Sequence, residues 1–361
     1  MAFLSPVFWP EVRRGAERFV HQLAAGLAER GASPRLITSH RGWPSRGVED
    51  GLDVTRNWRP PDGRLRRRCF EDYLTHVPLS YLSLLRGEDH VAHAVYPTDA
   101  LAAARWSART GGPSLLSYMG IPDRRWLARR RLRADLTLRA VAGTGAVVAL
   151  SEAAVEGFWR WLGVEARLIH PGVDVSSFAP GGQRAPAPTI VCAADAAEPR
   201  KRVALLVEAF ARVRRVRPDA RLLLSRPRDP ASAAALERAG DGLETVDLDD
   251  RVALRDAYRQ AWVSALPSLG EAFGLVLVEA LACGTPVVAT NVDGMREIVD
   301  RAEVGRLFDG DQPEPLADAL LEAFELAEDP NTAVACRARA KDFSSDRCTE
   351  RYASLYRELL G

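Results

Sequence analysis

The sequence predicts an α/β chain built as two doubly wound domains facing each other across a central cleft. Three observations carry that prediction. The 361 residues exceed what one hydrophobic core ordinarily organises and suit two. Amphipathic helical stretches alternate with short apolar runs, the pattern of parallel sheets covered by helices. The alternation pauses at a Pro/Gly-rich stretch (Pro180, Gly181, Gly182, Pro186, Pro188) and then starts afresh.

In the first half, Ala16 to Arg30 is amphipathic, with Phe19, Val20, Leu23 and Leu27 on one face and Gly31 as its stop. Strand-like runs follow at Arg35 to Thr38, Val91 to Val95, Ser114 to Tyr118, Ala146 to Ala149 and Arg167 to Ile169. Helices are expected between most of them, at Asp99 to Thr110 and Glu152 to Leu162 for example. In the second half the strands are Thr189 to Ala193, Arg221 to Ser225, Trp262 to Leu266 and Val287 to Thr290. Its helices are Val203 to Arg217, Leu254 to Gln260, an apolar one opened by Gly274, Pro313 to Ala327, Thr332 to Lys341 and Ser345 to Leu360. The expected division is a first domain at 1–178, a linker at 179–188 and a second domain at 189–343, with a last helix at 344–361.

A formal charge of +1 provides no global field to recruit nucleic acid. Five scattered cysteines without a C-x-x-C pair read as reduced thiols and a cytoplasmic location. The first residues lack the basic-then-apolar run of a signal peptide. No apolar stretch reaches the roughly 18 residues of a spanning helix.

Ser268 to Thr290 reads SLGEAFGLVLVEALACGTPVVAT, with Glu271 and Glu279 separated by seven residues. A helix beginning near Gly274 points unpaired N–H groups and the positive end of its dipole at whatever docks there, which favours an anion such as phosphate. Glu279 falls inside an otherwise apolar run, where a carboxylate without partners costs several kcal/mol. Two carboxylates that accept from hydroxyls, one on each side of an anion site, suit a sugar–diphosphate–ribose chain.

Glu-Ala-Phe-Gly-Leu-x-x-x-Glu-Ala-x-Ala-x-Gly-x-Pro-Val-Val resembles the donor-site signature of retaining glycosyltransferase family 4, which has the GT-B fold. Arg14 to Arg18 resembles that family's N-terminal glycine turn, and His170 to Asp174 its Asn-Gly-Val-Asp segment. Arg200-Lys201 resembles its phosphate-binding region, and Asn291 to Gly294 with Glu297 to Val299 the segment after the donor strand. The resemblance implies that Glu271 binds hydroxyls of the donor sugar and Glu279 the ribose. It implies that N–H groups of Phe273, Gly274 and Leu275 hold sugar or phosphate, and that Lys201 neutralises the leaving diphosphate. Lys201 and Lys341 are the only lysines, so a compact ammonium at 201 stands out in a chain that otherwise uses arginine. Gly15, opening the Ala16 helix, would offer N–H groups to the same diphosphate. The last helix would pack back toward the first domain. No cofactor or metal is implied; the co-substrate is a nucleotide-diphosphate sugar, and the acceptor a glycan, a lipid-linked sugar or a small molecule.

Three positions depart from the family pattern. Asp195-Ala196 stand where Gly-Arg is usual, a lost cation that Arg200 or Arg202 could replace. Arg14-Gly15 stand for Gly-Gly, and Met119 for a histidine near the sugar. With Met119 there, a 6-deoxy or otherwise modified donor is one expectation, and simple packing of Met119 the other. Arg64, Arg66, Arg67 and Arg68 form one basic cluster. Arg124 to Arg133 form another, interleaved with Trp126, Leu127 and Leu132. The second could touch anionic lipid at the inner membrane face. The alternative function is a nucleotide-sugar-binding or epimerase-like protein without glycosyl transfer. A dinucleotide oxidoreductase would want Gly-x-Gly-x-x-Gly after a first strand, which neither half has.

Overall fold

The structure is a computed structural model and describes residues 1–11, 15–237 and 240–361. The chain divides into two units, the first made of Met1–Gly172 with Ser345–Gly361 and the second of Val173–Ser344.

The first unit's strands are β1 (Ala2–Leu4), β2 (Arg35–His40), β3 (Ser45–Glu49), β4 (Leu52–Trp58), β5 (Ala92–Ala94), β6 (Ser114–Tyr118), β7 (Ala146–Ala149) and β8 (Arg167–Leu168). They lie in the order β3-β4-β2-β1-β5-β6-β7-β8, parallel except for the antiparallel β3–β4 pair. On one face, Phe19, Val20, Leu23 and Leu27 of the helix Gly15–Ala28 join Phe3, Leu36, Val54 and Leu115 of the sheet. Tyr352, Leu355 and Tyr356 of the helix Ser345–Leu360 complete that layer. Each such buried side chain contributes about 1.5–3 kcal/mol. The opposite face packs Leu4, Ile37 and Leu116 against Trp106, Val141 and Phe158 from three further helices. The sequence thus encodes the last helix as a member of the first unit: Tyr352 meets Phe19 edge-on with ring centroids 5.6 Å apart.

Polar groups reinforce that placement. His93 Nδ1 lies 2.7 Å from the Tyr356 hydroxyl and His93 Nε2 2.7 Å from Ser117 Oγ. Ser117 Oγ in turn lies 2.8 Å from the Tyr352 hydroxyl. All four residues are buried, and burial holds the imidazole pKa down at about 3, so the ring is neutral.

The second unit's strands are β9 (Thr189–Cys192), β10 (Arg221–Ser225), β11 (Leu243–Val246), β12 (Val263–Leu266), β13 (Val287–Thr290) and β14 (Gly305–Phe308). Their order is β11-β10-β9-β12-β13-β14, parallel throughout. The Pro/Gly-rich 180–188 stretch lies within this unit, pinned by Trp262 Nε1 donating to Ala185 O (2.8 Å) and Arg259 Nε to Ala179 O (2.7 Å). Prolines remove donors and look like a linker in sequence; here side chains of the helix Arg251–Gln260 and of Trp262, just before β12, satisfy the carbonyls.

The sequence pattern misses β1, β3, β4, β11 and β14. The first is three residues long, and β3 (Ser-Arg-Gly-Val-Glu) is almost fully exposed and carries no apolar alternation. The β3–β4 hairpin adds one antiparallel pair to an otherwise parallel sheet. Burial raises the thiols of Cys192 to about 11 and of Cys283, Cys336 and Cys348 to about 12, which makes them packing residues and not nucleophiles.

Candidate active site

In the second sheet, β9 to β11 run outward on one side and β12 to β14 on the other, so the strand order reverses between β9 and β12. Ligands of open α/β sheets bind beyond the carboxyl ends of the strands at such a point. The two loops that leave those strands are 193–202 and 267–274, and a backbone bond from Leu269 N to Arg200 O (2.8 Å) ties them together.

Lys201 and Glu271 meet there, with Lys201 Nζ 2.5 Å from Glu271 Oε2. Arg200 Nη1 reaches the same oxygen at 3.3 Å and also pairs with Glu198 at 2.9 Å. Lys201 and Glu271 are 16% and 18% exposed and Arg200 47%, so the three groups are accessible from solvent. Asp195 Oδ1 accepts from Ala197 N at 2.9 Å and shapes the turn that leads to the short helix Pro199–Lys201. The lost family cation is therefore replaced by a turn-forming carboxylate.

Arg202 does not substitute for it. Its guanidinium donates to Pro267 O (2.5 Å), Gly310 O (2.9 Å) and Thr290 Oγ1 (2.7 Å) and sits over the Phe308 ring. It is a brace between loops, which corrects its candidacy as a phosphate ligand.

Gly274 caps the helix Leu275–Ala282 in the left-handed region at φ 104°, a conformation that any other residue adopts under strain. That places the first free N–H groups of the helix beside the Glu271 loop. Phe273 is buried and stacks edge-on with Phe343 at 5.1 Å, so only its backbone is on offer. Glu279 is buried on the same helix, with Arg251 Nη1 3.9 Å from Oε1. Arg251 itself lies over the Phe178 ring.

Asp293 and Gly294 were not singled out as site residues from sequence. Asp293 Oδ2 accepts from Gly270 N at 3.1 Å and orders the turn that presents Glu271. Burial, joined by the nearby Glu271 charge, raises its pKa above the usual carboxylate value. A Cβ on Gly294 would stand 2.5 Å from Ala272 O and 2.8 Å from Phe273 Cα. The backbone of the two loops touches at this point. Both lie in the Asn291 to Gly294 segment that follows the Val287–Thr290 strand, and the Asp-Gly turn signal there marks them.

The remaining sequence candidates belong to the first unit. Gly15 is the first residue of its helix, while Arg14 lies outside the described residues. Met119, just past β6, is partly buried against the core cluster that holds Phe19. Within Arg124 to Arg133, Trp126 packs on Tyr118 at 5.2 Å and lies under the Arg133 guanidinium at 4.5 Å. Arg133 pairs with Glu71, and Arg130 with Asp72 at 3.1 Å. Trp126, Arg130 and Arg133 are thus engaged within the first unit, while Arg124, Arg125 and Arg129 are exposed.

The fold, two doubly wound parallel-sheet units with a last helix that returns to the first, is that of the GT-B glycosyltransferases. Two family profiles match along it, "Glycosyltransferase Family 4" over residues 13–177 and "Glycosyl transferases group 1" over residues 187–325. The chain belongs to glycosyltransferase family 4. A D-inositol 3-phosphate glycosyltransferase of Mycobacterium sp. (strain JLS) is 35% identical over 160 residues, 40% of this chain but only 36% of that protein. Its namesake from Paenarthrobacter aurescens is 28% identical over 364 residues, 90% of this chain and 89% of its own. Among solved structures, a sucrose-phosphate synthase from Thermosynechococcus elongatus superposes with a TM-score of 0.84 at 22% identity, covering 99% and 98% of the two chains. HepE of Anabaena in complex with UDP-glucose gives 0.76 at 16% identity, covering 99% of each.

Proposed function

We propose that this protein transfers a sugar from a nucleotide-diphosphate sugar to a hydroxyl acceptor with retention of anomeric configuration. The observation that carries the reading is the Lys201–Glu271 contact at the N-terminus of the Gly274-capped helix, with Glu279 buried on that same helix. Cations, helix N–H groups and two spaced carboxylates there match a diphosphate flanked by two polyols. The relatives' names support glycosyl transfer, and the UDP-glucose complex of a same-fold protein supports a nucleotide-sugar donor.

In the proposed reaction the anomeric C–O bond to the diphosphate breaks as the acceptor oxygen bonds to the same face of the sugar. The departing phosphate oxygen takes the acceptor's proton. Lys201, Arg200 and the N–H groups of Phe273, Gly274 and Leu275 stabilise the charge that develops, an electrostatic term often worth 10²–10³-fold per donor. Glu271 orients sugar hydroxyls and Glu279 the ribose. The reaction so drawn needs no metal ion, and activity undiminished by EDTA is the expected result. Among the described residues no helix is long and apolar enough to cross a membrane; cytoplasmic placement with a peripheral contact through Arg124, Arg125 and Arg129 belongs to the same proposal.

The test is a thermal-shift and mass-spectrometric screen of nucleotide sugars against the purified protein. A stabilising donor whose nucleotide is released on adding acceptor supports transfer. Binding without turnover of any donor, with any acceptor, would overturn it in favour of a binding protein. Ordinary hexose donors outperforming 6-deoxy ones would remove the selective role expected of Met119.

A further inference from the structure

Four neighbouring strands of the second unit, in the order β9-β12-β13-β14, send their outgoing loops to one guanidinium. Arg202 closes the loop after β9. Its Nε donates to the carbonyl of Pro267 (2.5 Å), the residue after β12. Its Nη2 donates to Thr290 Oγ1 (2.7 Å) at the last residue of β13. Its Nη1 donates to Gly310 O (2.9 Å), and the group lies 5.6 Å from the ring centre of Phe308, the last residue of β14. All three guanidinium nitrogens are engaged at the end of the sheet where Lys201 meets Glu271.

These contacts lead directly to the residues of the candidate site. Lys201 precedes Arg202, and Pro267 opens the loop that carries Glu271. Leu269 N already ties that loop to Arg200 O at 2.8 Å, so Arg202 adds a second tie between the same two loops. Thr290 precedes the segment in which Asp293 accepts from Gly270 N. The two adjacent cations therefore diverge: the Lys201 ammonium reaches Glu271, while the Arg202 guanidinium turns into the strand ends.

That divergence strains the backbone. Arg202 has φ 51° and ψ 38°, in the left-handed region, which glycine adopts freely and other residues only at a cost. Among the described non-glycine residues of the second unit, Arg202 and Asp293 (φ 52°) are the two with such a φ. Both hold the loop that carries Glu271. Strain of this kind persists where surrounding contacts over-determine the conformation. A glycine would make the turn unaided, so what the arginine adds is its side chain. A lysine would offer one ammonium on a flexible stem in place of three coplanar donor nitrogens.

We infer that Arg202 is a positioning residue for the proposed transfer. It binds no ligand itself; it fixes Lys201 relative to Glu271 and the Gly274-capped helix by clamping the carboxyl ends of β12, β13 and β14 to the loop after β9. The inference rests on the glycosyltransferase reading and adds to it the side chain that sets the geometry of the site.

R202G, R202A and R202K in the full-length protein test this with two probes. One is inorganic diphosphate, read as a binding constant; the other is the donor found by the nucleotide-sugar screen, read as kcat/KM. Each variant should lose at least about tenfold in both, since displacements of roughly 1 Å at reacting groups suffice. R202G should be at least as stable as R202A in chemical denaturation, because glycine takes the left-handed turn without strain, and yet be no more active. Guanidinium ion at millimolar concentration, far below denaturing levels, should restore R202G several-fold and leave the wild type unchanged, whereas ammonium ion should not. R202K, which keeps a cation and most of the stem, carries the test if R202G does not fold. Activity that follows stability across the variants, near-normal activity in R202G or R202K, or a folded R202G that guanidinium does not rescue would each overturn the inference. Diphosphate affinity that falls in the variants of a protein that turns over no donor would keep the role of Arg202 and remove the transferase reading beneath it. A wild type that binds neither diphosphate nor any nucleotide sugar would overturn both.

Discussion

In the first unit His93, Ser117, Tyr352 and Tyr356 are all buried and close a hydrogen-bonded chain among themselves. In the second, Arg200, Lys201 and Glu271 pair with one another where solvent reaches them. Both sets are polar, yet they are arranged for different ends. A sealed network whose members have no alternative partner fixes one geometry. An accessible set of ion pairs can exchange partners, because water and ligands compete for each member. The first joins the last helix to β5 and β6; the second is a site waiting to trade an internal contact for an external one.

The largest effect that can break this comparison is on turnover. Glu271→Gln and Lys201→Met should each lower kcat/KM at least about a hundredfold, or ~2.7 kcal/mol, with little change in the denaturation midpoint. Steady-state kinetics and chemical denaturation of the same samples decide it. Loss of stability that matches the loss of activity would make the pair structural.

His93→Phe should do the reverse, leaving donor affinity in place while costing about 2 kcal/mol, because buried hydroxyls lose their partner. Its pH dependence sharpens the point. An unfolded histidine titrates near pH 6.5, but the folded one only near 3. Above about 6.5 both states are neutral and the full stability is present. Below it the unfolded state binds the proton first, so the wild type loses up to about 1.4 kcal/mol per pH unit from this residue as pH falls toward 3. The variant lacks that slope. Hydrogen exchange in the first unit at pH 7 and pH 4.5 should show the gap between the two proteins narrowing; a constant gap would mean His93 is not the buried neutral group.

The same contrast explains what could be read from sequence. Glu271, Gly274 and Glu279 are legible because one strand–loop–helix step carries them all, so spacing along the chain is spacing in the site. Lys201 needs the adjacency of β9 and β12, which strand alternation implies but does not name. The His93 chain joins segments 24, 235 and 263 residues apart, and no local pattern marks it. Arg202 misleads for a related reason. Its charge suggests a phosphate ligand, but three backbone and side-chain acceptors around it, from Pro267, Gly310 and Thr290, are separated by long stretches of chain. Strands such as β3 are legible to neither periodicity nor propensity, because their order comes from the partner strand alone.

Gly294 offers the smallest and most local test of the second unit's arrangement. A methyl group there would meet Ala272 O at 2.5 Å and Phe273 Cα at 2.8 Å, both backbone atoms that no rotamer change can move aside. Gly294→Ala must therefore shift the loop that presents Glu271 and the first helical N–H groups. Displacements of about 1 Å at reacting groups are enough to matter, so a roughly tenfold loss in donor affinity is expected, with ~1–3 kcal/mol of destabilisation. Asp293→Asn separates the two contributions. It keeps an acceptor for Gly270 N but removes a carboxylate that burial and the neighbouring Glu271 already disfavour. If the site depends on loop position and not on the Asp293 charge, that variant retains near-normal donor affinity while Gly294→Ala does not. Equal losses in the two would place the charge of Asp293, and not the close backbone approach, in control of Glu271.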